Sequence, residues 1–367
     1  MIYLDNGATS FPKPQEVSQA VARALEQGAN PGRGGYGAAM EAGNLVLNCR
    51  EAAGRLFHCK PEQVVLTANC TQGLNIAIGS LVKEGDRVLI SGFEHNAVVR
   101  PLYARKADLR IAGRRLFQWE EILESFRREL RRGVDAAVFT YVSNVFGYIL
   151  PVEKLAALCR EAGVPFILDA AQAAGSLKVS MELGADFIAM PGHKGLLGPQ
   201  GTGLLLCGQP GKPLLYGGTG SQSRSHEMPQ DLPERLEPGT LNVPGAAGLA
   251  AGISIVERKG TDAIFRREHT QAEKLSRDLR NLGFRVFAGP HQGATVSFVP
   301  PVDCETGAEL LARHGFAVRA GLHCAPLAHE SAGTLSTGTI RVSLGYDTTP
   351  GEIDGFLRAT AKIRGNR

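Results

Sequence analysis

Short, almost uninterrupted apolar runs recur along the first two-thirds of this 367-residue chain: Val64-Val-Leu-Thr67, Arg87-Val-Leu-Ile90, Ala136-Ala-Val-Phe-Thr140, Pro165-Phe-Ile-Leu168, Phe187-Ile-Ala-Met190 and Gly203-Leu-Leu-Leu-Cys207. A strand with one wet face alternates polar and apolar residues, whereas runs without alternation are the pattern of strands buried on both faces. Between them fall stretches with apolar residues at helical spacing, among them residues 120–131 and 152–161, as the crossovers between parallel strands require. Helical spacing also marks residues 17–25, 42–56 and 73–81. The pattern predicts an α/β fold around a mostly parallel central sheet.

Residues 215–244 are rich in Gly, Pro, Ser and charge, including Gly217-Gly-Thr-Gly220, and read as a long functional loop at a change of domain. Beyond it come helical patterns at 246–259, 261–282, 304–314 and 350–363, with strand candidates at 294–298, 317–319 and 340–344. The expected division is a large domain over residues 14–245 and a smaller α+β domain made of residues 246–367 with the segment 1–13.

The formal charge of +4 is mild, and the densest basic run, residues 127–132, is interrupted by Glu129 and Leu130. It reads as a solvated helix face and gives no reason to expect nucleic acid. Seven scattered cysteines form no Cys-x-x-Cys pair, which argues against a zinc ribbon, a redox motif or any metal site. A sparse, odd count fits a reducing cytoplasm. No charged leader precedes an apolar stretch, and no apolar run approaches the ~18 residues of a membrane span. No membrane association is expected, and the expected location is cytoplasmic.

Thr67, Ser91, Ser143, Asp169 and His193 fall at or just past strand ends, the edge at which open parallel sheets bind ligands. Asp169 closes one apolar run, and Gly192-His193-Lys194 follows another. Singly, such an Asp is often a helix cap and such a Lys a solvated turn. Together they read as a pyridoxal phosphate site, with a lysine for Schiff-base chemistry and an acid to keep a pyridine nitrogen protonated. Cys70-Thr71 opens a helical stretch, so Thr71 reads equally as a cap or as a phosphate ligand. His95 could stack on a planar cofactor or simply lie exposed on a loop. The Gly-rich stretch 195–203 leads into a strand rather than from a strand into a helix, which rules out a dinucleotide fingerprint.

Eight motifs in order, Tyr3-Leu-Asp-Asn-Gly-Ala-Thr9, Asn30-Pro-Gly-Arg33-Gly, Glu94-His95-Asn, Val142-Ser-Asn144-Val-Phe-Gly147, Asp169-Ala-Ala-Gln172, Gly192-His-Lys194, Glu237-Pro-Gly-Thr240-Leu-Asn and Arg319-Ala-Gly-Leu-His-Cys324-Ala, resemble cysteine desulfurases of the class V aminotransferase group. The resemblance runs nearly end to end. It implies the fold type I architecture of pyridoxal 5'-phosphate enzymes, a homodimer with shared active sites, and L-cysteine or L-selenocysteine as substrate.

Carried over residue by residue, the resemblance has Lys194 hold the cofactor as a Schiff base, Asp169 bind its ring nitrogen, Gln172 donate to its phenolate and His95 stack on its ring. Thr71, beside Cys70, and His193 would bind the phosphate, joined by Gly239 and Thr240 from the neighbouring subunit. Arg341 would clamp the substrate carboxylate with help from Asn144, since a guanidinium fork matches a carboxylate. Ala8, and Arg33 from the partner chain, would line the pocket. Cys324 would attack the substrate sulfur as a thiolate, leaving a persulfide on the enzyme and releasing alanine; the other cysteines read as packing residues.

Two departures from the family pattern stand out. Pro191 replaces a Ser that often binds phosphate, and Gly7 replaces a common Ala, a change with no evident consequence. The stretch from Cys324 to Arg341 reads as a short loop that cannot swing sulfur far, so a protein acceptor would have to come to the pocket and turnover without one would be slow. The competing readings are a selenocysteine lyase or a transaminating class V enzyme, and a noncatalytic scaffold for sulfur assembly.

Overall fold

A computed structural model of the chain describes residues 1–31 and 34–365. Its centre is a seven-stranded sheet in the order Val64–Thr67, Gly203–Cys207, Phe187–Pro191, Phe166–Asp169, Ala136–Thr140, Arg87–Ser91, Asp108–Ala112. Every pairing is parallel except the two made by Gly203–Cys207. That strand returns directly through residues 192–202 without a crossover helix, and a direct return is antiparallel. The strands read from continuous apolar runs are the buried ones. Asp108–Ala112 was not among them, because an edge strand needs no such run and its residues are exposed or half-buried up to Ala112.

Helices cover both faces. Gly37–Phe57, Trp119–Arg132, Val152–Glu161 and Val243–Lys259 contribute to the larger core, and Cys70–Leu81 with Asn96–Ala104 to the core on the opposite face. A second, antiparallel sheet runs Arg319–Gly321, Thr339–Ser343, Thr295–Val299, Arg285–Phe287. Its core is filled by Leu4, by Leu275 and Leu279 of helix Thr261–Asn281, by Leu311 of Cys304–Arg313 and by Phe356 of Pro350–Gly365. Ile2–Tyr3 pairs in parallel with Phe316–Ala317, so the chain begins in this second lobe. No helix among the described residues is long and apolar enough to cross a membrane.

The division expected at 245/246 falls inside helix Val243–Lys259, whose Ala246, Leu249 and Ile253 pack into the core of the large sheet. Glycines on both sides explain the fit: a Cβ on Gly252 of the helix would collide with the Leu196 carbonyl, and one on Gly198 of the facing turn would meet Leu249. The helix therefore lies directly on the turn that follows Lys194.

Candidate active site

Residues at the C-terminal edge of the large sheet line a cavity of about 530 Å³, among them Thr71, His95, Asn144, Asp169, His193 and Lys194. Lys194 follows strand Phe187–Pro191, and burial lowers the pKa of its amine from 10.5, with Arg341 and Arg319 adding to the shift. Asp169 ends its strand and is 2% exposed. Its Oδ1 accepts from the Ala171 amide at 2.9 Å and from the Cys70 thiol at 3.6 Å, while burial raises its pKa. A cation against this carboxylate would reverse that shift.

His95 is the N-cap of helix Asn96–Ala104, and its Nδ1 accepts from the Ala97 amide at 3.0 Å. The proton of the neutral ring therefore sits on Nε2. Burial, then the charge of Lys194, push its pKa down to about 4, so the ring is neutral at physiological pH. Asn69 caps the next helix of the site by accepting from the Gln72 amide. The amides of Cys70 and Thr71 bond to nothing among the described residues, which leaves a helix N-terminus open to an anion.

The second lobe brings Arg341 and Cys324 to this edge. Arg341 is 2% exposed. It donates through Nη2 to Oδ1 of Asp5 at 2.6 Å and through Nη1 to the Asn144 carbonyl at 3.1 Å, while its Nε is buried without a partner. Cys324 is exposed. It and His323 have φ of 57° and 52°, and the Ala325 amide donates to the Leu322 carbonyl at 2.9 Å. This is the φ signature of a type I′ turn, built from two non-glycine residues at a cost of about 1–2 kcal/mol each.

Two anchors hold that turn against the large lobe. The Asn144 side chain donates to the His323 carbonyl at 2.8 Å, and the Asn96 amide to the Cys324 carbonyl at 2.7 Å. The stretch after it is not the loop the sequence suggested. It carries helix Pro326–Ala332, and Ala325 and Ala328 are fully buried in the large core. Small residues let this segment enter the core, so the cysteine is fixed directly beside a rigid element.

The structure joins Lys194, Asp169, Gln172, His95, Thr71, Cys70, His193 and Asn144 around one cavity. Gly239 and Thr240 lie elsewhere: Thr240 lines a separate cavity with Ala68 and Gln72. Their segment is pinned by a buried ion pair in which Glu237 accepts from both Nη atoms of Arg50, at 2.8 and 2.6 Å. Ala8 is not in the lining, and its neighbour Gly7 makes the contact instead, accepting from Gln172 Nε2 at 3.0 Å. Arg33 lies outside the described residues. Gly7 is also not the inert difference expected. A Cβ there would sit 3.3 Å from Cζ of Arg341 and 3.1 Å from Oγ of Ser343, so glycine allows the N-terminal segment to lie against the guanidinium.

Two further residues belong to this cluster and escaped the sequence reading. Asp5 was visible only as part of a motif. Lys13 donates through Nζ to the His193 carbonyl and to Ser10 Oγ, both at 2.7 Å, and Thr9 Oγ1 donates to the same carbonyl at 3.0 Å. No local pattern announces that role.

Histidine burial gives a pH prediction. Burial lowers His95, His193 and His329 to about 4 and His323 to about 3. The unfolded chain takes up these protons near 6.5 and the folded chain does not, so stability is lost as pH falls below 6.5. Glu94 and Glu268, pushed up to about 8 by burial, act in the opposite direction and lose their contribution as pH rises toward 8. Asp169, Glu237 and Asp347, also raised by burial, act as these two glutamates do. The imidazoles themselves give the readout: in an NMR titration of the folded protein their resonances are expected to shift only near pH 4 or below, and a ring that titrates near its free value would contradict its burial.

Comparisons place the chain among known proteins. The family model described as Aminotransferase class-V matches residues 2–356. A probable cysteine desulfurase of Methanothermobacter thermautotrophicus is 30% identical over 99% of this chain and 95% of its own. One of Pyrococcus abyssi is 31% identical over 97% and 92%. Among solved structures, an apo cysteine desulfurase of Thermococcus onnurineus superposes with a TM-score of 0.91 at 29% identity, covering 99% of this chain and 95% of that one.

Proposed function

The chain belongs to the class V aminotransferase family, and we propose that within it this protein is a cysteine desulfurase that uses pyridoxal 5'-phosphate to move sulfur from L-cysteine to Cys324, releasing L-alanine. The observation that carries the reading is the Cys324 turn. An exposed thiol is held at the tip of a strained turn whose two carbonyls are anchored by Asn96 and by Asn144, and Asn144 itself lines the Lys194 cavity.

The residues present fit the cofactor. Nδ1 of His193 and Oδ1 of Asn144 are buried without partners at the cavity, the helix Cys70–Leu81 presents free amides, and a buried carboxylate and a buried amine share the space. Lys194 would hold the group covalently, Asp169 its ring nitrogen, Gln172 its ring oxygen and His95 its face. Thr71 and His193 would take the phosphate, with Gly239, Thr240 and Arg33 of a second copy completing the site. Pro191 lines the cavity without a donor, so the helix amides carry more of the phosphate. When bound, the group supplies an electron sink for charge that develops at the substrate Cα.

This chain's residues do the rest. Arg341 binds the substrate carboxylate, with Asp5 and the Asn144 carbonyl fixing the plane of its guanidinium. Lys194, whose burial favours the neutral amine, takes the Cα proton. The Cys324 thiolate then attacks the substrate sulfur: an S–S bond forms, the Cβ–S bond breaks with its electron pair staying on carbon, and the remainder leaves as alanine once protonated. The rigid helix after Cys324 keeps the persulfide at the cavity mouth, so a protein acceptor collects the sulfur there.

The purified, cofactor-loaded protein is expected to form alanine from L-cysteine, slowly with cysteine alone and faster with a reductant or acceptor. Alanine formation that no reductant or acceptor accelerates would refute the fixed-cysteine account, and none at all would refute the activity. Arg341→Lys is expected to raise KM for L-cysteine about tenfold or more with a smaller change in kcat, because a point charge replaces a bidentate fork. Steady-state kinetics check this; an unchanged KM would place carboxylate binding elsewhere.

A further inference from the structure

A second chamber adjoins the active site at Lys194 and Gln172 and lies between the two lobes. His95, Asn144 and Asp169 do not line it, so it is distinct from the cavity described above. Its wall is mainly apolar, with Leu177 and Leu197 from the large lobe and Ile264, Phe265 and Leu344 from the second. An amine and a carboxyl face it, Lys194 at the edge shared with the active site and Glu268 on the far wall. Glu268, 8% exposed, lies three and four residues beyond Phe265 and Ile264 on helix Thr261–Asn281, so all three share a helix face.

No hydrogen bond or ion pair reaches the Glu268 carboxyl among the described residues, and the charged group that bears on it is another carboxylate, Asp347. Burying a carboxyl without a partner is costly, and native structures leave few such groups unexplained. Asp347 would repel an anionic ligand, whereas a cation in the chamber would favour the ionised Glu268 carboxyl that burial otherwise pushes up to about 8. A neutral hydrocarbon would fill the apolar wall and leave the carboxyl unpaired.

We propose that this chamber binds a small organic ammonium ion, whose N–H donates to the Glu268 carboxylate while its apolar body lies against Phe265, Ile264 and Leu197. The aromatic ring of Phe265 beside the carboxylate suits a cation as well as its hydrocarbon body. The chamber shares Lys194 and Gln172 with the proposed active site, while the ammonium contact itself is to Glu268 on the helix of the second lobe.

The probe is N,N-dimethylbenzylamine, a tertiary amine that cannot form a Schiff base with the cofactor, titrated calorimetrically into the cofactor-loaded protein. One saturable site per chain is expected with Kd below about 1 mM. Benzyl methyl ether, of similar shape and no charge, should bind about tenfold or more weakly, and Glu268→Gln should weaken the amine by a similar factor, the loss of a charge-assisted hydrogen bond. Ala294→Leu, which adds bulk to the chamber wall and leaves Glu268 in place, should abolish binding and keeps the test decisive if Glu268→Gln misfolds. Glu273→Gln, on the exposed side of the same helix, should change nothing. Absence of saturable binding, equal binding by Glu268→Gln, or binding that survives Ala294→Leu would each overturn the proposal.

Discussion

Lys194→Ala is expected to reduce alanine formation from L-cysteine by about 10⁴-fold or more, since in the proposed mechanism one amine both holds the cofactor and moves the Cα proton. Two features of the structure make this the largest single effect. The amine is buried, which lowers its pKa and keeps it available as a base, and Asp169 and Cys70 are the acidic groups that bear on it. A replacement from solvent would need a path into a turn covered by helix Val243–Lys259. Borohydride treatment should fix the cofactor onto the wild-type chain, at the peptide containing Lys194, and not onto the variant. Retained activity, or cofactor fixed at another lysine, would remove Lys194 from the mechanism.

Cys324→Ser is expected to lower sulfur transfer from L-cysteine by about 10³-fold or more, because an alcohol at neutral pH is a far weaker nucleophile toward sulfur than a thiolate. The substitution is small and the side chain is exposed. The turn that carries it is held by main-chain carbonyls and not by the thiol, so folding and cofactor colour should be unchanged. Mass spectrometry after incubation with L-cysteine should show one added sulfur on wild type, at Cys324, and none on the variant. The buried thiols Cys49, Cys159 and Cys207, pushed to about 12 or beyond by burial, offer no thiolate to replace it. Persulfide on the variant would place the nucleophile elsewhere.

Much of this site was legible in the chain because its chemistry sits in local patterns. Asp169 and His193-Lys194 follow apolar runs, and a parallel sheet turns such run ends to one edge. What was not legible is held by contacts far apart in sequence. Asp5 meets Arg341 across 336 positions and Lys13 meets His193 across 180, and neither carries a spacing signal. Helix Pro326–Ala332 was missed because seven residues are too few to show helical periodicity, and its proline sits where a helix start tolerates it. Helix Asn96–Ala104 was missed for a related reason, since Pro101 falls inside its nine residues.

The sequence by itself determined six of the seven strands, the mostly parallel character of their sheet and the family, because buried strands and the family's motifs are written in runs of a few residues. Only the tertiary structure decided how the two lobes meet. The guanidinium of Arg341 is aimed by Asp5, and Gly7 leaves room for the approach. The turn that carries Cys324 is fixed against the other lobe by Asn96 and by the cavity residue Asn144. The chamber that isolates Glu268 exists only where residues from both lobes close around it. These are properties of packing between distant segments, and packing is set by the shape of the whole core and not by the order of residues along any one stretch.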